Sequence, residues 1–241
     1  MHIGHGLWLQ NQRPPGAAFA PISLFAGGYT GNLLDFVTPA GLYSDAGVTL
    51  AGMGAQVHSI REQVGGGLIS QTVSSFRGVR ETTGVRLDGF DDYYPLSWAP
   101  ASEAGAWSMA ITADLPATAP ADFAIVASTR AGTARFALFL LSSNSGLYLS
   151  HGAVQTLLGF SLLGTRVSIV LVSAAGGTLR AYVNGTLAAT VTPTALSALP
   201  VAIGATGGGA ANWGAIRARG YLHINRALTD DERAKLATYW S

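Results

Sequence analysis

Between Leu179 and Val191 the chain reads LRAYVNGTLAATV, two runs of strand-forming residues separated by Asn184-Gly185. Asn-Gly is the pair best suited to the positive-φ positions of a type I′ turn, so the segment predicts a β-hairpin. Just upstream, Arg166-Val167-Ser168-Ile169-Val170-Leu171-Val172 is rich in β-branched residues and predicts another strand. Trp107, Met109, Ile111 and Ala113 alternate with Ser108, Ala110, Thr112 and Asp114, the period of a half-buried strand. Phe136 to Leu141 is apolar at every position, which fits a strand covered on both faces. Such short strands recur through to Ile224 with almost no helix between them. The fold class this implies is all-β, an antiparallel β-sandwich or jelly roll.

One helix is expected, at the C-terminus, in LTDDERAKLATYW. Thr229 can cap it, and Glu232 stands at the third following position, completing a capping box. Asp230 and Asp231 suit the positive end of the helix dipole. Leu228, Leu236 and Tyr239 or Trp240 could then pack back on a sheet.

Residues 1–70 have a different texture, with weak periodicity and breakers at Pro14-Pro15-Gly16, Gly27-Gly28, Pro39 and Gly65-Gly66-Gly67. They are expected to form an extended, irregular N-terminal arm, leaving 71–241 as the sandwich domain. Trp8, Phe19, Leu24, Phe25, Leu33, Leu34 and Phe36 are apolar enough that this arm needs a surface to pack on.

Composition narrows the function. At 241 residues the chain can bury a sizeable core without staples. With no cysteine, disulfides, thiolate metal sites and cysteine nucleophiles are excluded. The 14 basic and 13 acidic residues nearly cancel, so clustered phosphate contacts, and hence nucleic-acid binding, are not expected. Only 11% of residues are charged and 31 are glycine. Burial of part of the surface in a homo-oligomer or larger assembly would produce that, and so would genomic base composition. The opening MHIGHGLWLQNQRPPGAAFAP lacks a basic segment followed by a long apolar core, so no signal peptide is expected. No apolar run approaches the ~20 residues that span a bilayer, so no membrane insertion is expected either.

The ordered set LDGFDDYY, WSMAITADL, RVSIVLVSAAGGTLRAYVNGTLAATVTP, LPVAIGA, NWGAI and YLHINRALTDDERAKL resembles the laminin-G-like, concanavalin A-like jelly roll over roughly residues 80–241. Upstream, Leu24-Phe25-Ala26-Gly27-Gly28 and Leu42-Tyr43-Ser44-Asp45-Ala46-Gly47 resemble the leader of bacteriophage and prophage structural proteins that end in this jelly roll. Asn32-Leu33-Leu34-Asp35 departs from the aromatic-rich segment usual there. The resemblance implies a non-enzymatic virion structural protein, assembled in the host cytoplasm. Residues 1–70 would anchor it to other virion proteins of a head or tail, and its jelly roll would be displayed for host or glycan adhesion. A carbohydrate-binding lectin module is the alternative, and a glycoside hydrolase a third reading.

Candidate sites concentrate in VRLDGFDDYYPLSW, residues 85–98. Asp88, Asp91 and Asp92 could bind calcium, since hard cations take several carboxylate oxygens. Asp91 and Asp92 would point oppositely on a strand, so a turn at Gly89 would be needed to gather all three. They could equally cap backbone N–H groups at a strand end, with Val85 and Leu87 entering the core. Tyr93, Tyr94 and Trp98 could form a sugar-stacking platform or complete the core or a subunit contact. Arg217, Arg219, Tyr221 and His223 alternate with Ala218, Gly220, Leu222 and Ile224. On a regular strand they line one exposed polar face, suited to an anionic glycan or a partner protein. A register shift would instead bury His223. No cofactor other than calcium is implied.

Catalytic patterns are lacking. Glucanases of the concanavalin-like fold carry a Glu-x-Asp-x-Glu strand whose carboxylates share a face. None of Glu62, Glu81 or Glu103 has another carboxylate two positions away, and Glu232 belongs to the helix cap. There is no Gly-x-Ser-x-Gly elbow. The histidines at 2, 5, 58, 151 and 223 are scattered, and a metal-binding role for the His2–His5 pair is not expected. Gly207-Gly208-Gly209 lacks the strand-to-helix context of a phosphate loop and reads as a sheet-connecting loop.

Overall fold

The computed structural model describes residues 19–118, 121–129, 134–174, 177–193, 195–206 and 214–240. The His2–His5 pair, Trp8, the Pro14-Pro15-Gly16 breaker and the Gly207-Gly208-Gly209 loop lie outside the described residues. In chain order the strands begin with β1 (Gly31–Asp35), β2 (Leu42–Tyr43), β3 (Ser59–Arg61), β4 (Leu68–Ser70), β5 (Val79–Glu81) and β6 (Gly84–Arg86). Next come β7 (Tyr94–Pro95), β8 (Trp107–Asp114), β9 (Phe123–Thr129), β10 (Phe136–Leu141), β11 (Gly146–His151) and β12 (Val154–Gly159). The last are β13 (Arg166–Ser173), β14 (Leu179–Val183), β15 (Thr186–Val191), β16 (Ala202–Ile203) and β17 (Arg217–Ile224), before helix α1 (Asp230–Tyr239).

Two antiparallel sheets form the expected sandwich. The larger runs β15-β14-β13-β8-β17-β6-β5, with β1 also paired to β17, and the smaller runs β12-β11-β10-β9-β16-β7. β2, β3 and β4 make a small third sheet. The Asn184-Gly185 hairpin joins β14 to β15, with Asn184 at φ 50° and Gly185 at φ 82°, the left-handed values a type I′ turn requires. Between the sheets, Met109, Ile111, Ile169 and Leu171 of the larger face Phe136, Leu138, Leu147 and Leu149 of the smaller in one core. β10 is buried on both faces as its sequence implied, because Ala137 and Phe139 on its outer side are also fully covered.

The alternation along β8 turns out to be one of side rather than of exposure. Ala110 joins a second apolar layer on the outer face of the larger sheet, with Val170, Leu222 and Ile224 beneath Phe25, Leu236 and Trp240. Helix α1 and the 3₁₀ turn Pro21–Phe25 provide that cover. The capping box holds α1 in place: Thr229 Oγ1 accepts from Glu232 N at 3.3 Å, and Glu232 Oε2 accepts from Thr229 N at 2.8 Å. Arg226 grips the same carboxylate at 2.7 and 2.8 Å and donates to the Leu24 carbonyl at 3.0 Å, tying the helix start to the 3₁₀ turn.

The division expected at residue 70 is corrected for the described residues before it. They are built into the sandwich and do not form a separate arm. β1 pairs with β17 over Gly31–Asp35, adding a strand to the larger sheet. Leu34, Phe36, Leu42, Val57 and Ile60 belong to the central core, and Leu33 to the outer apolar layer. Pro39 and Gly65-Gly66-Gly67, breakers that suggested irregularity, fall between short strands, and Gly27-Gly28 precedes β1. Leu24, Phe25, Leu33, Leu34 and Phe36, which needed a surface, found it inside the domain, where burial is worth about 1.5–3 kcal/mol for each large side chain.

The regular face expected along β17 is also corrected. A bulge between Ala218 and Gly220 inserts one residue against β8 and reverses the alternation that follows. Arg217 and Arg219 stay on the outer face, while Tyr221 and His223 turn inward, 0% and 4% exposed. Gly220 lies against the Trp240 ring, where a Cβ would fall 1.9 Å from Cε2, so no larger residue fits without moving the helix end.

Candidate functional site

β6 ends at Arg86, Leu87 enters the core, and the chain turns through Asp88-Gly89-Phe90-Asp91-Asp92 before β7. Its own aspartates close this loop. Asp88 Oδ1 accepts from Phe90 N at 2.8 Å and Asp91 N at 3.4 Å, and Asp92 Oδ2 accepts from Asp88 N at 2.9 Å. The turn also brings the three carboxylates together, with one oxygen from each within 4.8 Å of the others. Phe90 projects from the tip of this braced loop, 77% exposed.

Beside the loop lies a cleft of about 300 Å³. Arg86 and Asp88 form one wall, Asp114 and Pro116 a second, and Ile216 and Arg217 the third. Cross-strand ion pairs order its charged side. Glu81 accepts from Arg86 Nε at 2.8 Å and Arg217 Nε at 2.5 Å. Asp114 accepts from Arg166 Nε at 2.7 Å, Arg217 Nη1 at 3.3 Å and Arg219 Nη1 at 3.4 Å. Four guanidiniums thus share two carboxylates, leaving positive charge in excess. Burial alone would push the Asp114 carboxyl up, but the hydrogen bond and charge of Arg166, helped by Arg219 and Arg217, outweigh it and hold the group below the usual carboxylate range. The Glu81 carboxyl is depressed in the same way, Arg217 and Arg86 prevailing over burial.

Asp92 behaves oppositely. Burial pushes its carboxyl up to about 6, with repulsion from Asp88 and Asp91 opposing the hydrogen bond from the Asp88 amide. In its oxygen chemistry the cluster fits a hard divalent cation such as calcium. Asp88, Asp91 and Asp92 would be the ligands, and their like charge is what a cation would neutralise.

A stability measurement reads this directly. A carboxyl whose folded pKa lies above its unfolded one binds more protons when folded, so its contribution falls as pH rises through the window from about 4 to about 6. In chelator-treated buffer the protein should lose on the order of 2–3 kcal/mol from this group between those limits. Asp92→Asn, which keeps an acceptor for the Asp88 amide, should flatten that slope in denaturant titrations. An unchanged slope in the variant would assign the pH dependence elsewhere.

The aromatic platform is not assembled. Tyr94 is fully buried and donates its hydroxyl to the Val57 carbonyl at 2.6 Å. Trp98 is 5% exposed, stacked on His223 at 4.3 Å between centroids, with its edge contacts to Trp107 and Phe136 inside the core. Its Nε1 donates to Glu103 Oε1 at 2.9 Å. Tyr93 is half-buried against Phe76, 5.7 Å away. Alternation across the short β7 sends the apolar positions inward, so these three rings share no open surface. Of the candidate arginines, Arg217 lines the cleft, whereas Arg219 is buried and spends its Nε on the Trp240 carbonyl at 2.7 Å.

Sequence reasoning passed over Phe90, although a signal was present: an aromatic set between a turn glycine and two aspartates has no inward position. It also missed Glu81, Arg86, Asp114 and Arg166, which only cross-strand register brings together.

No family model matches the chain, and no curated protein matches it in sequence. Solved structures do resemble it. Trypanosoma rangeli sialidase superposes with a TM-score of 0.60 at 16% identity, covering 88% of this chain and 33% of that one. The same sialidase in complex with sialic acid gives a TM-score of 0.62 at 14% identity, again over 88% and 33%. The chain is a β-sandwich of the kind found in those proteins. It spans about a third of their length, so the likeness is one of fold.

Proposed function

We propose that the chain is a non-enzymatic recognition module that binds a carbohydrate at the Phe90 cleft. The supporting observation is the pairing of a highly exposed aromatic ring, on a loop braced by the Asp88 and Asp92 carboxylates, with a cleft that offers both carboxylates and guanidiniums. A sugar presents an apolar C–H face that stacks on an aromatic ring and hydroxyls that pair with charged acceptors and donors. Catalysis is less well supported. Glu81 and Asp114 are held ionised by arginines, the opposite of a general acid, and Asp92 is 4% exposed with Oδ2 committed to closing the loop.

Glycan-array screening of the intact protein and of Phe90→Ala tests this. Truncating a central aromatic anchor typically costs 2 kcal/mol or more, so binding should weaken about 30-fold or further. The melting temperature should hold, because the ring is 77% exposed. A blank array, or equal binding by the variant, overturns the reading.

The setting we propose is the surface of a phage-type virion, with other virion proteins and copies of the same chain as partners. It rests on the resemblance of Leu24–Gly28 and Leu42–Gly47 to phage structural leaders. Immunogold labelling of induced particles tests it, and label found only on free protein would count against it.

A further inference from the structure

Thr112 points outward from β8 yet is 1% exposed, and its hydroxyl has no hydrogen-bond partner among the described residues. Buried hydroxyls in folded proteins are almost always paired, so an orphan one calls for a group that is not part of the chain. It opens on a cleft of about 390 Å³ between the outer face of the larger sheet and the last turn of α1, lined also by Arg166, Ser168, Asn184, Ala237 and Thr238. That volume suits a small ligand.

The cleft has two chemically different walls. On the sheet side, Arg166 is held by its Nε on Asp114 at 2.7 Å, and its side chain remains 38% exposed. Beside it Asn184 Oδ1 accepts from Ser168 N at 2.8 Å, which fixes the amide and leaves its –NH₂ as a donor. Arg86, Arg166, Arg217 and Arg219 outnumber Glu81 and Asp114 along this row, so the wall favours an anion. The opposite wall is the C-terminal turn of a helix, whose negative dipole end favours hydroxyl donors and disfavours anions. A ligand satisfying both carries a negative charge at one end and hydroxyls at the other.

We propose that this cleft is a pocket for a sugar acid, a monosaccharide unit bearing a carboxylate. The carboxylate pairs with Arg166, and the hydroxyls reach Thr112, Ser168 and the end of α1. The pocket is separated from the Phe90 cleft by the Arg217–Asp114–Arg166 row and does not depend on what binds there.

An amide-shift NMR titration of the ¹⁵N-labelled full chain with D-glucuronate, D-glucose and acetate tests it. Glucuronate should give saturable shifts centred on Thr112, Arg166, Ser168 and Asn184. Glucose and acetate should each bind at least about tenfold more weakly, the scale of one lost charge-assisted contact or hydroxyl set. Thr112→Val, isosteric and suited to a strand, should weaken glucuronate while leaving the melting temperature within a few degrees. Should that variant fail to fold, Ala237→Leu narrows the same cleft from the helix side and should weaken binding likewise. No shifts at these amides, equal saturation by glucose, or unaltered binding in the folded variants overturns the pocket. Phe90→Ala leaves these shifts intact, which separates this proposal from the first.

Discussion

Removal of residues 1–70 should leave a chain with no cooperative unfolding transition. The deletion takes away Leu33, Leu34, Phe36, Leu42, Val57 and Ile60, each 1% exposed or less. At about 1.5–3 kcal/mol apiece they represent roughly 9–18 kcal/mol of burial, as large as the net stability of a typical domain. β17 also loses its partner along Gly31–Asp35, which bares a central strand. Glu62, whose Oε1 accepts from Leu33 N and Val64 N at 2.9 and 2.8 Å, disappears with the segment it braces. Circular dichroism on heating reads the outcome. A cooperative melt within about 5 °C of the full chain, the equivalent of one or two kcal/mol, would mean that the segment is an appendage after all.

Trp98→Ala is the single substitution expected to cost most. A buried tryptophan truncated to alanine loses about 3–5 kcal/mol, through lost transfer energy and the cavity left behind. Here the cavity opens between Trp107, Phe136 and His223, all of which pack on the indole. His223 is held neutral by burial, which pushes its imidazole down to about 3, and it would lose both its stack and its dry surroundings. Glu103 would lose the indole N–H from an oxygen that also lies 2.9 Å from His223 Nε2. For a chain of this length a drop of about 6–20 °C in melting temperature follows. A variant that melts like the parent but no longer binds glycan would return Trp98 to the sugar-platform role first considered for it.

How far the sequence carried differed by element, for physical reasons. Asn184-Gly185, Phe136–Leu141 and the Thr229–Glu232 capping box each announce local structure through local chemistry and form as expected, and the alternation from Trp107 gives the expected strand, though one buried on both faces. Residues 31–70 were harder, because strands of two to five residues are shorter than the window in which period-two alternation becomes visible. Their strand character comes from partners far along the chain, as in the pairing of Leu33 with Leu222. β17 misled for a related reason: one inserted residue at Arg219 reverses the facing of all that follow, and a bulge leaves no periodic trace.

The candidate site divides along the same line. Asp88, Asp91 and Asp92 are close in sequence and converge through a local turn, so their gathering and the capping of backbone N–H groups by Asp88 and Asp92 were legible. The arginine–carboxylate row was not, because Glu81, Asp114, Arg166 and Arg217 meet only once four strands are in register. Tyr94 and Trp98 look alike in sequence whether they face solvent or core. Burial alone separates the two, and it places both rings inside.

In the proposed function, a glycan sits on the Phe90 loop. Titrating the ¹⁵N-labelled protein with the best ligand from the glycan array, and mapping amide shifts, locates the contact without a variant. The expected result is saturable shifts concentrated on residues 86–92 and 215–217. Saturable shifts confined to another face of the sandwich, with residues 86–92 unmoved, would contradict it.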